Sequence, residues 1–131
     1  MAEYRESNKI NRIRAFLIGE WEWQSDDDVK TRINIVAYKE NLLGEVTQVG
    51  ANEKEYQILE GDIYWKDFEF IDDGYYTCYN LCKTTSGIVV DVTATGKIDY
   101  EHNVLNMHLT APAPYHMVGA DRKWIRISEK L

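Results

Sequence analysis

Short stretches that alternate apolar and polar residues, each ended by a turn, run through the chain from residue 19 to residue 128. They read "GEWEWQS", "KTRINIVAY", "LLGEVTQVG", "KEYQILE", "DIYWKDFEFI", "YYTCYNLCK", "GIVVDVTATGKI", "VLNMHLT" and "RKWIRIS". Val, Ile, Thr, Tyr, Phe and Trp dominate them, and such residues fit a pleated, half-buried surface. The breaks "DDD", "KEN", "ANE", "DDG", "TSG" and "YEHN" fall between them at hairpin spacing. Period-2 alternation assigns faces: Ile88, Val90, Val92 and Ala94 share one, and Leu105, Met107 and Leu109 share another opposite Asn106 and His108. About nine such strands leave edges that need partners, and closing the sheet removes them. Before Gly19, the residues Ile10, Ile13, Phe16 and Leu17 recur at helical spacing behind Ser7, which predicts one helix over 7–18. The expected fold class is all-β: a closed antiparallel up-and-down β-barrel of eight or nine strands over 19–128, with a short N-terminal helix, in one domain spanning 1–131.

Charge and cysteine content narrow the partners and the compartment. A formal net charge of −7 repels phosphate backbones and anionic lipid surfaces, so neither nucleic acid nor membrane is expected as a partner. No apolar run approaches the 18 or so residues of a membrane span. The beginning, "MAEYRESNKINR", has no apolar signal core, although a secreted chain stripped of its leader would read the same. Cys78 and Cys82 stand four apart in an alternating segment, which puts them about 13 Å apart on a strand. A disulfide needs Cα atoms within about 7 Å. Two free thiols fit a reducing compartment, and the expected location is cytoplasmic.

The segment "GEWEW" adds a finer signal. On a strand Trp21 and Trp23 share one face, with Glu20 and Glu22 on the other. A short helix leading into G-x-W on the first strand resembles the calycin superfamily of lipocalins, fatty-acid-binding proteins and short lipocalin-like relatives. Gly19 and Trp21 match that motif, and the last strand, "DRKWIRIS", offers Arg126 and Arg122. The resemblance implies that the Trp sits at the sealed end of a barrel, with an Arg from the last strand across it, and that the interior holds a guest. The chain departs from the pattern in lacking a helix pair between its first two strands, a T-D-Y motif and a C-terminal helix. A rival closed barrel is similar to the allene-oxide-cyclase-like cyclases.

With nine Tyr, four Trp and three Phe, the interior is expected to be aromatic. Such residues line a pocket for a flat or apolar molecule, or fill the middle of a small barrel. The candidates for contact with a guest are Trp23, Tyr56, Tyr64, Phe68, Tyr79 and Met107. Lys66 joins them, because alternation in "YWKDFEF" puts it on one face with Tyr64, Phe68 and Phe70. A buried ammonium needs a partner, such as a ligand carboxylate, Glu45 or Glu60, unless a bulge turns it to solvent. The longest irregular segment, "APAPYHMVGAD", supplies Tyr115, His116 and Met117 as candidate lid residues. His102 falls in a turn and His108 points outward. The acidic runs Asp26–Asp28 and Asp72–Asp73 sit at turns with no Glu at EF-hand spacing, so no metal and no cofactor are expected.

Three functions compete on these residues. The first is a binding module for a small hydrophobic or aromatic molecule. The second is a cofactor-free cyclase, isomerase or lyase with Lys66, Tyr79 or His116 as acid or base. The third is a homo-oligomer or interaction protein using Tyr38, Trp65 or Trp124 as exposed aromatics.

Overall fold

Eight strands pair in chain order and the last returns to the first, closing an antiparallel barrel with no free edge. The computed structural model describes residues 2–84, 86–110 and 120–129, with the backbone alone at 2–8, 52 and 128–129. The order is α1 (Ala2–Leu17), β1 (Gly19–Trp23), β2 (Arg32–Tyr38), β3 (Asn41–Gln48), α2 (Ala51–Glu55), β4 (Ile63–Asp72), β5 (Tyr75–Lys83), β6 (Val89–Asp99), β7 (Val104–Thr110) and β8 (Ala120–Glu129). Closure comes from the pairing of β1 with β8, where Trp21 opposes Arg126 and Trp23 opposes Trp124. Inward positions alternate as expected along β6, where Val90, Val92, Ala94 and Ile98 are buried, and along β7, where Leu105, Met107 and Leu109 are. Ile88 precedes β6 and is exposed.

Two elements differ from the sequence expectation. The helix begins at residue 2 rather than 7, because "AEYRESN" holds no Gly or Pro to stop it; apolar spacing marks only the part that packs. The stretch 54–60 is not a strand. Lys54 and Glu55 end the short helix α2, Gln57 takes a left-handed conformation (φ 61°), and only Ile58 of the apolar side chains turns inward.

A bulge in β4 sets which side chains enter the barrel. Lys66 pairs with Tyr79 and Glu69 with Thr77, so the register slips between them, where Asp67 has φ 52°. A second slip, against β3, leaves Tyr64 as an extra residue between the pairs Glu45–Ile63 and Gly44–Trp65. The two slips together bury Tyr64, Trp65 and Phe68, while Lys66 and Asp67 both face solvent. The expectation that Lys66 lies inside is therefore corrected: alternation fails across a bulge, and the bulge takes the ammonium out of a place where its desolvation would be costly.

Two glycines make room for large rings inside. A Cβ on Gly96 would come within 2.1 Å of Tyr76 Cζ, and one on Gly44 within 3.0 Å of Trp65 Cε3. The Tyr76 ring therefore lies flat against β6, next to Phe68 at 5.7 Å between centroids. Trp21, Trp65, Trp124, Tyr64 and Tyr76 are the largest fully buried side chains, and the barrel axis is built from rings. Gly96→Ala should destabilise the protein by about 3 kcal/mol, the scale of forced overpacking. Urea unfolding checks this, and in a Tyr76→Ala background the same Gly96→Ala change should cost much less, since the ring it collides with is gone.

Candidate functional site

The two ends of the barrel are built differently. At one end α1 covers the opening. Trp21 Nε1 donates to Leu17 O at 2.9 Å, and Arg126 Nη1 donates to Ile18 O at 3.0 Å while its Nη2 donates to Phe16 O. The Arg126 guanidinium, half-buried, lies 4.4 Å from the Trp21 ring and 4.6 Å from Phe16, a cation–π arrangement worth about 0.5–2 kcal/mol. Arg14 donates to Lys39 O and Asn41 O, Arg12 pairs with Asp73 at 3.1 Å, and Lys9 reaches Asp72. The helix is thus fastened to the turns on either side of it. Trp21 and Arg126 are register partners and in direct contact, while Gly19 stands opposite Glu129 at the start of β1.

The opposite end holds a buried polar cluster among aromatic rings. Gly50 N donates to Thr31 Oγ1 at 2.9 Å, which anchors the start of α2 beside this mouth. Glu53 on α2 is 5% exposed and turns inward. Tyr64 from β4 donates its hydroxyl to Glu53 Oε2 at 3.2 Å and accepts from Arg122 Nη1 of β8 at 2.5 Å. Arg122 also stands 3.6 Å from Glu53 Oε1, closing a triangle of Arg, Tyr and Glu. Burial disfavours the Arg122 charge, but Tyr64, Glu53 and Cys82 outweigh it and hold the guanidinium protonated. Between the neighbouring strands β4 and β5, where Trp65 and Asn80 are register partners, Trp65 Nε1 donates to Asn80 Oδ1 at 2.7 Å.

Rings enclose this cluster. Trp124 lies 4.7 Å from Trp65, 6.0 Å from Tyr64 and 6.2 Å from Trp23 between centroids, and Arg122 sits 4.2 Å over the Trp23 ring. Trp124 is fully buried, and its Nε1 finds no acceptor among the described residues. A buried donor left unpaired costs about 1–3 kcal/mol. The arrangement offers stacking faces, one spare N–H and a charged fork that already has two partners.

The residues singled out from sequence divide among three places. Trp23, Tyr64, Phe68 and Met107 turn to the interior, Trp23 only half-buried at the mouth. Tyr56 and Tyr79 are corrected along with Lys66: both are exposed, Tyr56 because it ends α2 instead of sitting mid-strand, Tyr79 because it stands opposite Lys66 on the outer side of β5. Tyr115, His116 and Met117 lie outside the described residues. Trp65 and Trp124 are fully buried, so they are not exposed aromatics; Tyr38 is. His102 and His108 are exposed and pair with Asp99 and Asp121. Cys78 and Cys82 are free thiols on β5, and no group of metal-ligating side chains forms among the described residues.

Sequence reasoning missed Glu53, Asn80 and Trp124 as neighbours. Period 2 in "DRKWIRIS" does put Arg122, Trp124 and Arg126 on one face, a signal that was available. Nothing in "ANEKE" announces an inward Glu, since it depends on where α2 lands.

The cluster's energetics can be tested directly. Glu53→Gln or Arg122→Met alone should cost about 3–5 kcal/mol by leaving the other charge buried and unpaired. Glu53→Leu with Arg122→Met should cost less than the sum, as a urea-unfolding double-mutant cycle would show. Stability should also fall as pH rises through about 8.5 to 10. Burial raises the pKa of the Cys78 and Cys82 thiols and of the Tyr64 and Tyr76 phenols, so the unfolded chain releases protons that the fold keeps. Unfolding midpoints across that range should decline, and Cys78→Ala with Cys82→Ala should flatten the lower part of the decline.

Comparison with protein-family models, curated proteins and solved structures returns no match.

Proposed function

We propose that this barrel is a binding module that takes one small hydrophobic or aromatic molecule at its open end, between Trp23, Tyr64 and Trp124. The observation that carries the reading is the Trp124 indole N–H, fully buried and without an acceptor among the described residues, inside a cage of rings. A guest that stacks there and brings an acceptor removes the penalty of that unpaired donor. Farther down the axis, Tyr76 and Phe68 occupy the space, which favours the mouth as the place for a guest. The sealed end supports a calycin-type reading, with Arg126 stacked over the G-x-W indole beneath a terminal helix.

The competing readings draw less support. Of the acid or base candidates for a cyclase, isomerase or lyase, Lys66 and Tyr79 stand on the outer wall and His116 lies outside the described residues, while the inward Glu53 is engaged by Tyr64 and Arg122. An oligomer built on exposed aromatics has Tyr38 to offer but neither Trp65 nor Trp124.

Titration with anilinonaphthalene sulfonate, followed by probe fluorescence and tryptophan quenching, tests the proposal. Saturable binding to a single site is expected. Trp124→Phe should weaken it about five- to tenfold by removing the donor, the effect of one hydrogen bond. Lys66→Met should leave it unchanged. Absence of saturable binding, or a larger loss from Lys66→Met than from Trp124→Phe, would overturn the reading.

A further inference from the structure

The outer wall formed by β5 to β8 carries a second arrangement that the mouth does not use. Strand register puts Tyr75, Lys97, Asn106 and Lys123 on one line across four neighbouring strands, with Thr95, His108 and Asp121 on the next line. These side chains point away from the interior and line a depression of about 490 Å³. Adjacent strands lie about 4.8 Å apart, so Lys97 and Lys123 start about 10 Å from each other on either side of Asn106. Two flexible ammonium groups at that separation can close on one tetrahedral anion, with the Asn106 amide as a third donor.

The charge pattern here runs against that of the whole molecule. Lys9, Arg12, Arg32 and Lys83 each pair with a carboxylate on other faces. Lys97 and Lys123, like Lys30, Lys39, Lys54 and Lys66, have no carboxylate partner among the described residues, and they are the two that stand on one register line, in a chain of net charge −7. The only carboxylate among the described lining residues, Asp121, is held by His108 Nδ1 at 2.7 Å. Beside Lys97 the Tyr75 ring is exposed, with the ammonium 6.0 Å from its centroid. A flat group can stack on that ring while an anion sits two strands along, over Asn106, about 10 Å away at the backbone.

From this register of donors beside an exposed ring, we infer that the outer face of β5 to β8 binds a small phosphomonoester carried on an aromatic group. The phosphate lies between Lys97 and Lys123 over Asn106, and the aromatic group lies on Tyr75. The depression also touches Arg122 of the mouth cluster, but Tyr75, Lys97, Asn106 and Lys123 take no part in that cluster.

Amide chemical-shift titration of the full chain with phenyl phosphate, inorganic phosphate and phenol tests the inference. Phenyl phosphate should shift the amides around Lys97, Asn106 and Lys123 in a saturable way. Inorganic phosphate should shift the same set more weakly, and phenol should not shift it. Lys97→Gln with Lys123→Gln should raise the dissociation constant at least about tenfold, while Lys66→Gln leaves it unchanged. Tyr75→Ser should remove the preference for phenyl phosphate over phosphate. All four positions are on the surface, and the same spectra report whether each variant is folded. Shifts scattered over other faces, shifts by phenol equal to those of phenyl phosphate, or unchanged affinity in the double lysine variant would overturn it. Trp124→Phe should leave this titration unchanged, so a failed mouth site and a failed outer site give different results.

Discussion

Everything in this molecule depends on β1 meeting β8, because only then does the sheet lose its edges and gain an inside. The short strand Gly19–Trp23 carries that junction, and its central Trp21 lies opposite Arg126. Arg126 is bound from two directions. Its face covers the indole, while its N–H groups reach the carbonyls at the end of α1, which would otherwise be unpaired at a helix terminus. One side chain thereby joins the first strand, the last strand and the helix. Arg14, Arg12 and Lys9 then tie α1 to the neighbouring turns, so the seal is spread over several elements.

Inside the seal, packing is decided by rings and by the absence of a Cβ where a ring must pass. Tyr76 against Gly96 and Trp65 against Gly44 are large-with-small pairs that fill the axis of a narrow barrel. At the other end the same aromatic wall holds Arg122, Tyr64 and Glu53. Burying two charges is costly, and the triangle limits that cost by giving each group a hydrogen-bonding partner. Stability alone would be served as well by apolar side chains of the same volume. A buried polar triangle beside one indole N–H that has no acceptor among the described residues is what distinguishes the mouth from a simple core.

The outer wall follows another logic. Strands of a closed barrel show their second face to water, and side chains there are free of the interior's volume limits. Lys66 and Tyr79 face each other on that wall, and so do Lys97, Asn106 and Lys123. The bulge at Asp67 is the hinge between these worlds, since it turns two successive polar residues outward and lets Phe68 regain the inside.

Alternation, turn residues and the helical spacing before Gly19 were enough to determine an all-β chain closing on itself behind one helix, because each is a local property of the backbone and its neighbours. The inward faces of β6 and β7 were legible for the same reason: no bulge breaks the period along Val90–Ala94 or Leu105–Leu109. The Trp21–Arg126 contact was expected from the resemblance alone, since no period within a segment places the first strand against the last. Tertiary structure alone decided the rest. A one-residue slip in β4 reversed Lys66, a five-residue helix replaced the strand read at 54–60, and Glu53 met Arg122 across the mouth. Slips of register and the landing of a short helix depend on contacts made far along the chain, and no periodicity within a segment encodes them.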